Sequence, residues 1–415
     1  MRAPLARAGI VLAVCLPAGA AMARPDLPTA PKAAVRSLHH IQDAIAGGDA
    51  AAFTMQTSTL RVVDALFANL RPQALDDADT RKALFVYAVS GGNPRTFARL
   101  YPPLSEQLEG RDKRVLNAVA ATVLRRPVGE EGAVSPREAG GMLGGGLALL
   151  AGINASDLAR RIAHLDDARL LAPGTLIEES ALRRLIGIHG QDDDPERFFV
   201  LSSRYVRTFV TSPYASDFAE TFTAAAARLT QPPHHARLGE IVGFMPPAHR
   251  RAIVVRLMRA ATVRGNFALV RSFEDRFGAE VAASARGGTQ TAEAQTDAAR
   301  KRLFSLMAGI ASEDHDTVAR ALERIDADQL MPADRQLLEA ARAITRDIGR
   351  PATADGVQAG APGASRFGTS ADPLLPPDLP VATDAETLDP ELESFITNAR
   401  SVLEGVDALL EETAQ

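Results

Sequence analysis

Apolar residues recur every three or four positions along most of the chain, which is the spacing of one buried helix face. Two early segments show the pattern, with Val35, Leu38, Ile41 and Ile45 in the first and Phe53, Leu60, Val63, Phe67 and Leu70 in the second. The alternation typical of a half-buried strand is nearly absent. The pattern predicts an all-α protein with roughly a dozen or more helices.

Helix starts are marked by a capping residue that is followed by proline. The side chain of the capping residue accepts a hydrogen bond from an unpaired backbone N–H, and proline at the first helical position gives up no bond. Five pairs of this kind occur: Asn93-Pro94, Ser135-Pro136, Asp194-Pro195, Ser212-Pro213 and Asp389-Pro390. Ser135 with Glu138, and Thr175 with Glu178, also have the spacing of a capping box.

Glycine-containing turns separate the predicted helices. The stretch SGGNP at 90–94 is a poor phosphate loop, because a helix pattern rather than a strand precedes it and no lysine follows. We interpret it as a turn in which Gly91 or Gly92 closes one helix and Asn93 caps the next. The same arrangement recurs at Gly47-Gly48-Asp49 and at Arg264-Gly265-Asn266-Phe267.

Such turns predict an array of antiparallel helix hairpins. The array is a degenerate tetratricopeptide-like solenoid, since the fixed period of about 34 residues and the usual tryptophan and tyrosine signature are missing. We place this array at residues 24–348. Residues 349–388 are rich in proline, alanine and glycine and predict a disordered linker. Residues 389–415 predict a C-terminal amphipathic helix, with Leu392, Phe395, Ala399, Val402, Val406 and Leu409 on one face.

Residues 1–23 have the features of a secretory signal peptide. Arg2 and Arg7 flank the start of a short apolar run that ends in Ala21-Met22-Ala23, so cleavage is expected after Ala23. The run is shorter than the roughly 20 apolar residues of a membrane span. Cys15 is the only cysteine, and the residues before it match a lipobox poorly. We therefore expect an exported protein without disulfides or an integral membrane segment after cleavage.

Composition and charge narrow the function classes. The net charge is −5, which argues against nucleic-acid binding. Tryptophan is absent and tyrosine occurs four times, so few aromatic side chains are available to stack on bases or to line a saccharide-binding groove. The pairs His39-His40 and His234-His235 lack metal-ligand spacing, and Asp192-Asp193-Asp194 lacks the further ligands of a calcium loop. We predict no catalytic residue, no metal and no cofactor, and leave the partner-binding residues unknown.

The most glycine-dense stretch is Gly140–Gly146. It lacks the lysine ending of a phosphate loop and the strand of a dinucleotide site, so an anion cradle is weakly indicated. We favour a helix that begins at the Ser135 capping box, in which small residues allow close packing or a hinge.

Three stretches together resemble the periplasmic motility protein C (MotC) family of alphaproteobacteria: ALFVYAVSGGNPRTFARL (83–100), LDDARLLAPGTLIEESALRR (165–184) and FVLSSRYVRTFVTSPYASDF (199–218). The resemblance implies a non-catalytic component of the flagellar motor. This component binds the periplasmic domain of motility protein B, the stator subunit, and is required for flagellar rotation. Whether this component has a dedicated chaperone as a further partner is left unknown. Two alternatives remain: an exported scaffold for envelope assembly, and a lytic-transglycosylase-like enzyme with a catalytic carboxylate such as Glu178 or Glu220.

Overall fold

The computed structural model describes residues 30–128, 132–192, 194–284, 291–310 and 314–348. Within these ranges the regular structure is helical throughout, which confirms the all-α prediction. Two short 3₁₀ turns lie at Pro72–Asp76 and Ala327–Gln329. The α-helices are α1 Pro31–Ala46, α2 Ala50–Ala68, α3 Ala78–Val89, α4 Pro94–Gln107, α5 Gly110–Val123, α6 Pro136–Ala139, α7 Gly141–Asn154, α8 Leu158–Leu171, α9 Leu176–His189, α10 Glu196–Phe209, α11 Ala215–Ala226, α12 Pro232–Gly243, α13 Pro247–Val263, α14 Phe267–Ser284, α15 Ala292–Gly309, α16 His315–Glu323 and α17 Pro332–Ile348.

The helices pack in two layers. Each odd-numbered helix contacts the next odd-numbered one, from α1 on α3 through to α15 on α17. Even-numbered helices form the second layer, in which α2 contacts α4, α6 contacts α8, and α12 contacts both α10 and α14. Many successive helices also pack as hairpins, among them α1 with α2 and α13 with α14. This order is that of a helical-hairpin array, as predicted.

The predicted signal peptide (1–23), linker (349–388) and C-terminal helix (389–415), together with the Asp389-Pro390 pair, lie outside the described residues. The boundaries drawn for the array stay a prediction.

Two groups of buried side chains form the core. One joins α1 to α5 and Leu147 of α7, and the other extends from α7 to α17 and includes Ala46 at the end of α1. Most of the apolar positions predicted in α1 and α2 are buried or partly buried. Phe53 is an exception, since its side chain is exposed. Its ring packs edge-on against Tyr214, with the ring centroids 5.5 Å apart. The start of α2 therefore contacts the turn before α11.

The stretch 90–94 is a turn between helices, as predicted. Gly91 closes α3 with φ = +92°, a conformation that favours glycine. Gly92 is packed instead, because a Cβ there would lie 2.6 Å from the carbonyl oxygen of Tyr87. The Asn93 side chain accepts a hydrogen bond from the backbone N–H of Arg95, at 3.0 Å. The backbone N–H of Asn93 in turn donates to the Tyr87 hydroxyl, at 2.9 Å.

The remaining predicted caps are partly right. Ser135 and Glu138 form the full capping box of α6. Asp194 and Ser212, however, stand before helices that begin later than predicted, at Glu196 and Ala215. The Ser212 hydroxyl accepts from the N–H of Tyr214 at 3.2 Å, so it closes a turn ahead of α11 rather than capping the helix.

The predicted capping box of Thr175 and Glu178 is wrong. The Thr175 hydroxyl donates to the carbonyl oxygen of Ala172, at 2.7 Å. The Glu178 carboxylate accepts from the N–H of Gly174 and forms a two-point ion pair with Arg204 of α10, at 2.7 and 2.8 Å. Since a two-point pair with arginine is stronger than a neutral cap bond, the tertiary contact determines where Glu178 points.

The stretch Gly140–Gly146 packs closely, but not within one helix. Gly140, with φ = +65°, separates α6 from α7, so the predicted helix from Ser135 ends after one turn. Gly144, Gly145 and Gly146 are buried against neighbours. A Cβ on Gly145 would lie 2.7 Å from Cβ of Ala172, and one on Gly146 would lie 2.5 Å from Cγ2 of Val89. These glycines allow α7 to approach its neighbours closely.

Candidate partner-binding cleft

A cleft of about 270 Å³ lies between α11 and α13 of the odd-numbered layer. We call it the α11–α13 cleft. It is lined by Val210, Ser212, Ala215, Ser216, Phe218, Ala219, His249, Ala252, Ile253 and Arg256. Five of these residues belong to the stretch 199–218. A concave surface with apolar walls and a few polar groups is the usual form of a binding pocket.

The floor and one wall of the cleft come from α11 and the turn before it. The N–H of Ala215 donates to the carbonyl oxygen of Ser212 at 3.0 Å, which fixes the start of the helix. Phe218, one turn later, is buried, and its ring stacks on Tyr205 of α10 with centroids 4.1 Å apart. Stacked aromatic rings add to the stability that their burial supplies. The floor is therefore packed against α10.

The other wall is one face of α13. His249, Ala252, Ile253 and Arg256 recur at three- and four-residue spacing, so they lie on the same side of the helix. Ile253 is buried and Arg256 is exposed, which places the apolar part deep and the cationic part at the rim. Nδ1 of His249 is buried and has no hydrogen-bond partner among the described residues.

Below the floor lies a buried carboxyl group, Glu179 of α9. Its Oε1 accepts a hydrogen bond from the Tyr205 hydroxyl at 2.8 Å. Burial raises the pKa of Glu179, and hydrogen bonds from the hydroxyls of Ser212 and Tyr205 and the charge of Arg183 partly offset this rise. Ser212 also lines the cleft, so it connects the buried group to the candidate binding surface.

Arg183 connects α9 to α11 at the edge of the same cluster. Its Nη1 donates to Asp217 at 2.6 Å, and its guanidinium lies 5.1 Å from the centroid of the Tyr214 ring. An arginine held both by a carboxylate and by an aromatic face has little freedom. The turn before α11, which carries Ser212, is thereby fixed in place.

We expect Glu179→Gln to change how the free energy of unfolding depends on pH. Because its pKa is raised above the ordinary 4.5, the folded state binds the Glu179 proton more tightly than the unfolded state does. This stabilisation is complete below the unfolded pKa and is lost as the pH rises through the folded pKa. The stability of the wild type relative to Glu179→Gln should therefore fall as the pH rises above the ordinary value of 4.5 and through the raised pKa of the folded state.

Urea unfolding across that range measures the difference. Glu220→Gln, at an exposed position of α11, is the matched control with which the trend of Glu179→Gln is compared. A wild-type-to-Glu179→Gln difference that stays flat with pH would contradict the effect attributed to burial.

The histidines and aspartates singled out in the sequence lie elsewhere. His39 and His235 bond to Ser90 and to the carbonyl oxygen of Leu229, and burial lowers the pKa of both. Asp192 pairs with His189 at 2.6 Å. The described ranges contain no group of three or more histidine, cysteine or acidic side chains that could hold a metal ion.

The two glutamates considered for glycoside hydrolysis occupy different environments. Glu178 is buried and paired with Arg204, whereas Glu220 is exposed on α11. Neither of them lines the α11–α13 cleft. A catalytic carboxylate must reach a bound sugar, and Glu178 is directed into its ion pair instead.

Two of the three stretches noted in the sequence meet next to the cleft. Glu178 bonds to Arg204, and Glu179 bonds to Tyr205, so consecutive residues of 165–184 pair with consecutive residues of 199–218. These pairs hold α9 against α10 beneath the cleft. The complementary charges in the two stretches were the available sequence signal, but the pairing itself could not be read from them.

No helix in the described part of the chain is both long enough and apolar enough to cross a membrane.

Comparison with known proteins gives two matches. The sequence profile of the family described as Chemotaxis protein MotC matches residues 1–415. Chemotaxis protein MotC of Rhizobium meliloti (strain 1021) is 32% identical over 442 aligned residues, which cover 98% of this chain and 98% of that protein. No solved structure matches the chain significantly.

Proposed function

The chain belongs to the MotC family of chemotaxis proteins, and from this premise we propose that it is a non-catalytic component of the flagellar motor. We propose further that it works in the periplasm, where it binds the periplasmic domain of motility protein B, the stator subunit. The signal peptide predicted at 1–23 supports export. The helical-hairpin array supports a binding role, since such arrays offer extended surfaces to protein partners.

We choose the α11–α13 cleft as the binding surface because of its shape and lining. Binding energy at protein interfaces is concentrated where a large side chain enters a desolvated pocket. The buried Phe218 and Ile253 provide the apolar interior for such an anchor, and Arg256 at the rim suits a carboxylate beside it. The contact therefore combines an apolar anchor with a charged edge.

Filling the cleft tests this assignment. Ala252→Phe places a ring where the partner's anchor would enter, so we expect roughly tenfold weaker binding of the stator's periplasmic domain, or about 1.4 kcal/mol. Swimming in soft agar should decrease in the same strain. Isothermal titration with the two purified proteins measures the affinity, and thermal unfolding shows whether the variant is folded.

Ala268→Phe is the matched control, because Ala268 is exposed on α14 and lies away from the cleft. It should bind and swim as the wild type does. If Ala252→Phe binds as tightly as Ala268→Phe, the cleft is not the contact. If a clean deletion strain swims normally and no association is detected, the motor assignment itself fails and an exported scaffold remains.

A further inference from the structure

Arg256 is the one arginine or lysine in the described lining of the α11–α13 cleft, and that lining contains no acidic residue. The Arg256 side chain is exposed, and its guanidinium forms no ion pair or hydrogen bond with the part of the chain that the structure describes. Of the carboxylates on α11, Asp217 is paired with Arg183, and Glu220 lies outside the lining. The cleft therefore presents a positive charge that a partner can neutralise.

His249 is a second polar group without a partner on the same wall, about two turns before Arg256. Its Nδ1 is buried and has no hydrogen-bond partner among the described residues. A hydrogen on Nδ1 would stay unsatisfied there, so the neutral ring carries its hydrogen on Nε2. The unpartnered polar groups that α13 offers to a partner are therefore both donors.

The dimensions of the cleft fit one side chain of a protein partner. Its volume of about 270 Å³ is below the roughly 300–1,000 Å³ of pockets that enclose whole small ligands. Ile253, in the interior, lies three residues before Arg256, so the two are about 5 Å apart along the axis of α13. Side chains three or four positions apart on a partner helix have a similar spacing of about 5–6 Å.

We propose that the cleft selects a helical segment of the partner in which a large apolar side chain is accompanied, three or four residues away, by a carboxylate. The apolar side chain would enter beside Ile253, and the carboxylate would pair with Arg256. Arginine forms two-point hydrogen bonds with carboxylates, so this pair also fixes the orientation of the segment. A segment with an amide or a basic group in that place would leave Arg256 unpaired or repelled.

This inference rests on the proposed function, because it concerns the cleft that we assign to the stator contact. It adds the chemistry of the anchoring segment and identifies Arg256 as the residue that determines specificity. Its first test uses the full chain alone and needs no stator, so the two proposals can fail separately.

Titration of the full chain with two small probes measures the selectivity. Hydrocinnamate carries a phenyl ring and a carboxylate, and hydrocinnamamide differs only in having an amide in place of the carboxylate. Nuclear magnetic resonance of the labelled methyl groups of Ala252 and Ile253 reports binding at the cleft. We expect hydrocinnamate to bind about three- to fivefold more tightly, which is the upper part of the range for an ion pair in contact with water.

Arg256→Gln should remove this preference, whereas Arg256→Lys should keep part of it because the charge is retained. Arg302→Gln is the matched control, since Arg302 is exposed on α15 and does not line the cleft. It should show the preference of the wild type. Thermal unfolding should be unchanged in all three variants, as expected for exposed positions. No binding at Ala252 and Ile253, equal affinity for the two probes, or a preference that survives Arg256→Gln would overturn the proposal.

Isothermal titration with the stator's periplasmic domain then separates the two proposals. Arg256→Gln should weaken this binding about three- to fivefold, and Arg302→Gln should leave it unchanged. If the stator's domain binds Arg256→Gln as tightly as the wild type, the stator contact stands and the role of Arg256 is overturned. If the chain prefers hydrocinnamate but does not bind the stator's domain, the selectivity of the cleft is supported and the stator assignment fails.

Discussion

Replacing Asp334 by alanine is expected to destabilise the folded array by about 3–5 kcal/mol. Asp334, in the first turn of α17, is 0% exposed. Its two carboxylate oxygens accept hydrogen bonds from Nε of Arg259 on α13 and from Nε of Arg300 on α15, both at 2.7 Å. Without the carboxylate, Arg300, whose side chain is 16% exposed, loses its closer counter-charge in a place that water reaches poorly, and the more exposed Arg259 loses its partner as well. Urea unfolding measures the loss.

Asp79→Ala provides the comparison. Asp79 pairs with Lys32 at the surface, where both side chains are more than half exposed. A surface pair of this kind contributes at most about 1 kcal/mol, so its removal should be nearly neutral. The interpretation of Asp334 fails if Asp334→Ala lowers the free energy of unfolding by no more than Asp79→Ala does.

A second carboxylate extends the network around Asp334. Asp297 on α15 contacts Arg251 of α13 at 3.1 Å and Arg300 of α15 at 3.6 Å. Burial raises the pKa of Asp297, and the two arginines partly offset this rise. The odd-numbered layer is thus held by charges where α13, α15 and α17 meet, in addition to its apolar core.

Local signals in the sequence predicted local structure correctly. Asn93 caps α4 and Gly91 closes α3 because both effects depend on residues within one turn. The same reasoning failed at Thr175 and Glu178, where Arg204, 26 residues further along, bonds to Glu178. Where a side chain can either cap its own helix or pair with an arginine of another helix, the tertiary fold determines its position. The spacing of residues along the chain does not encode that outcome.

The α11–α13 cleft could not be predicted from the sequence for a related reason. Its walls come from segments that are distant in the chain, such as those of Ser212 and Ile253, and each wall has an ordinary amphipathic pattern. Phe53 shows the converse, since its spacing predicted a buried position while the ring contacts Tyr214 at the surface. Periodicity predicts which face is apolar, but not which partner covers it.

Replacing Gly144 by alanine should destabilise the protein, although alanine normally favours a helix. A Cβ on Gly144 of α7 would lie closer than 3.0 Å to the carbonyl oxygen of Pro136 in α6. That oxygen belongs to the backbone, so it can move only if α6 moves with it. Overpacking of this kind costs about 1–3 kcal/mol, which exceeds the gain in helix propensity of about 0.5–1 kcal/mol. Urea unfolding of Gly144→Ala measures the net effect.

Gly187→Ala separates packing from propensity. Gly187 lies within α9, and a Cβ there would be in ordinary contact with Cγ2 of Thr221, at 3.5 Å. The added methyl group should therefore stabilise the helix by about 0.4–1 kcal/mol. Opposite signs for the two substitutions are expected, because one glycine is required by a neighbour and the other is not. If both variants gain stability, α6 and α7 are not in the close contact that explains Gly144.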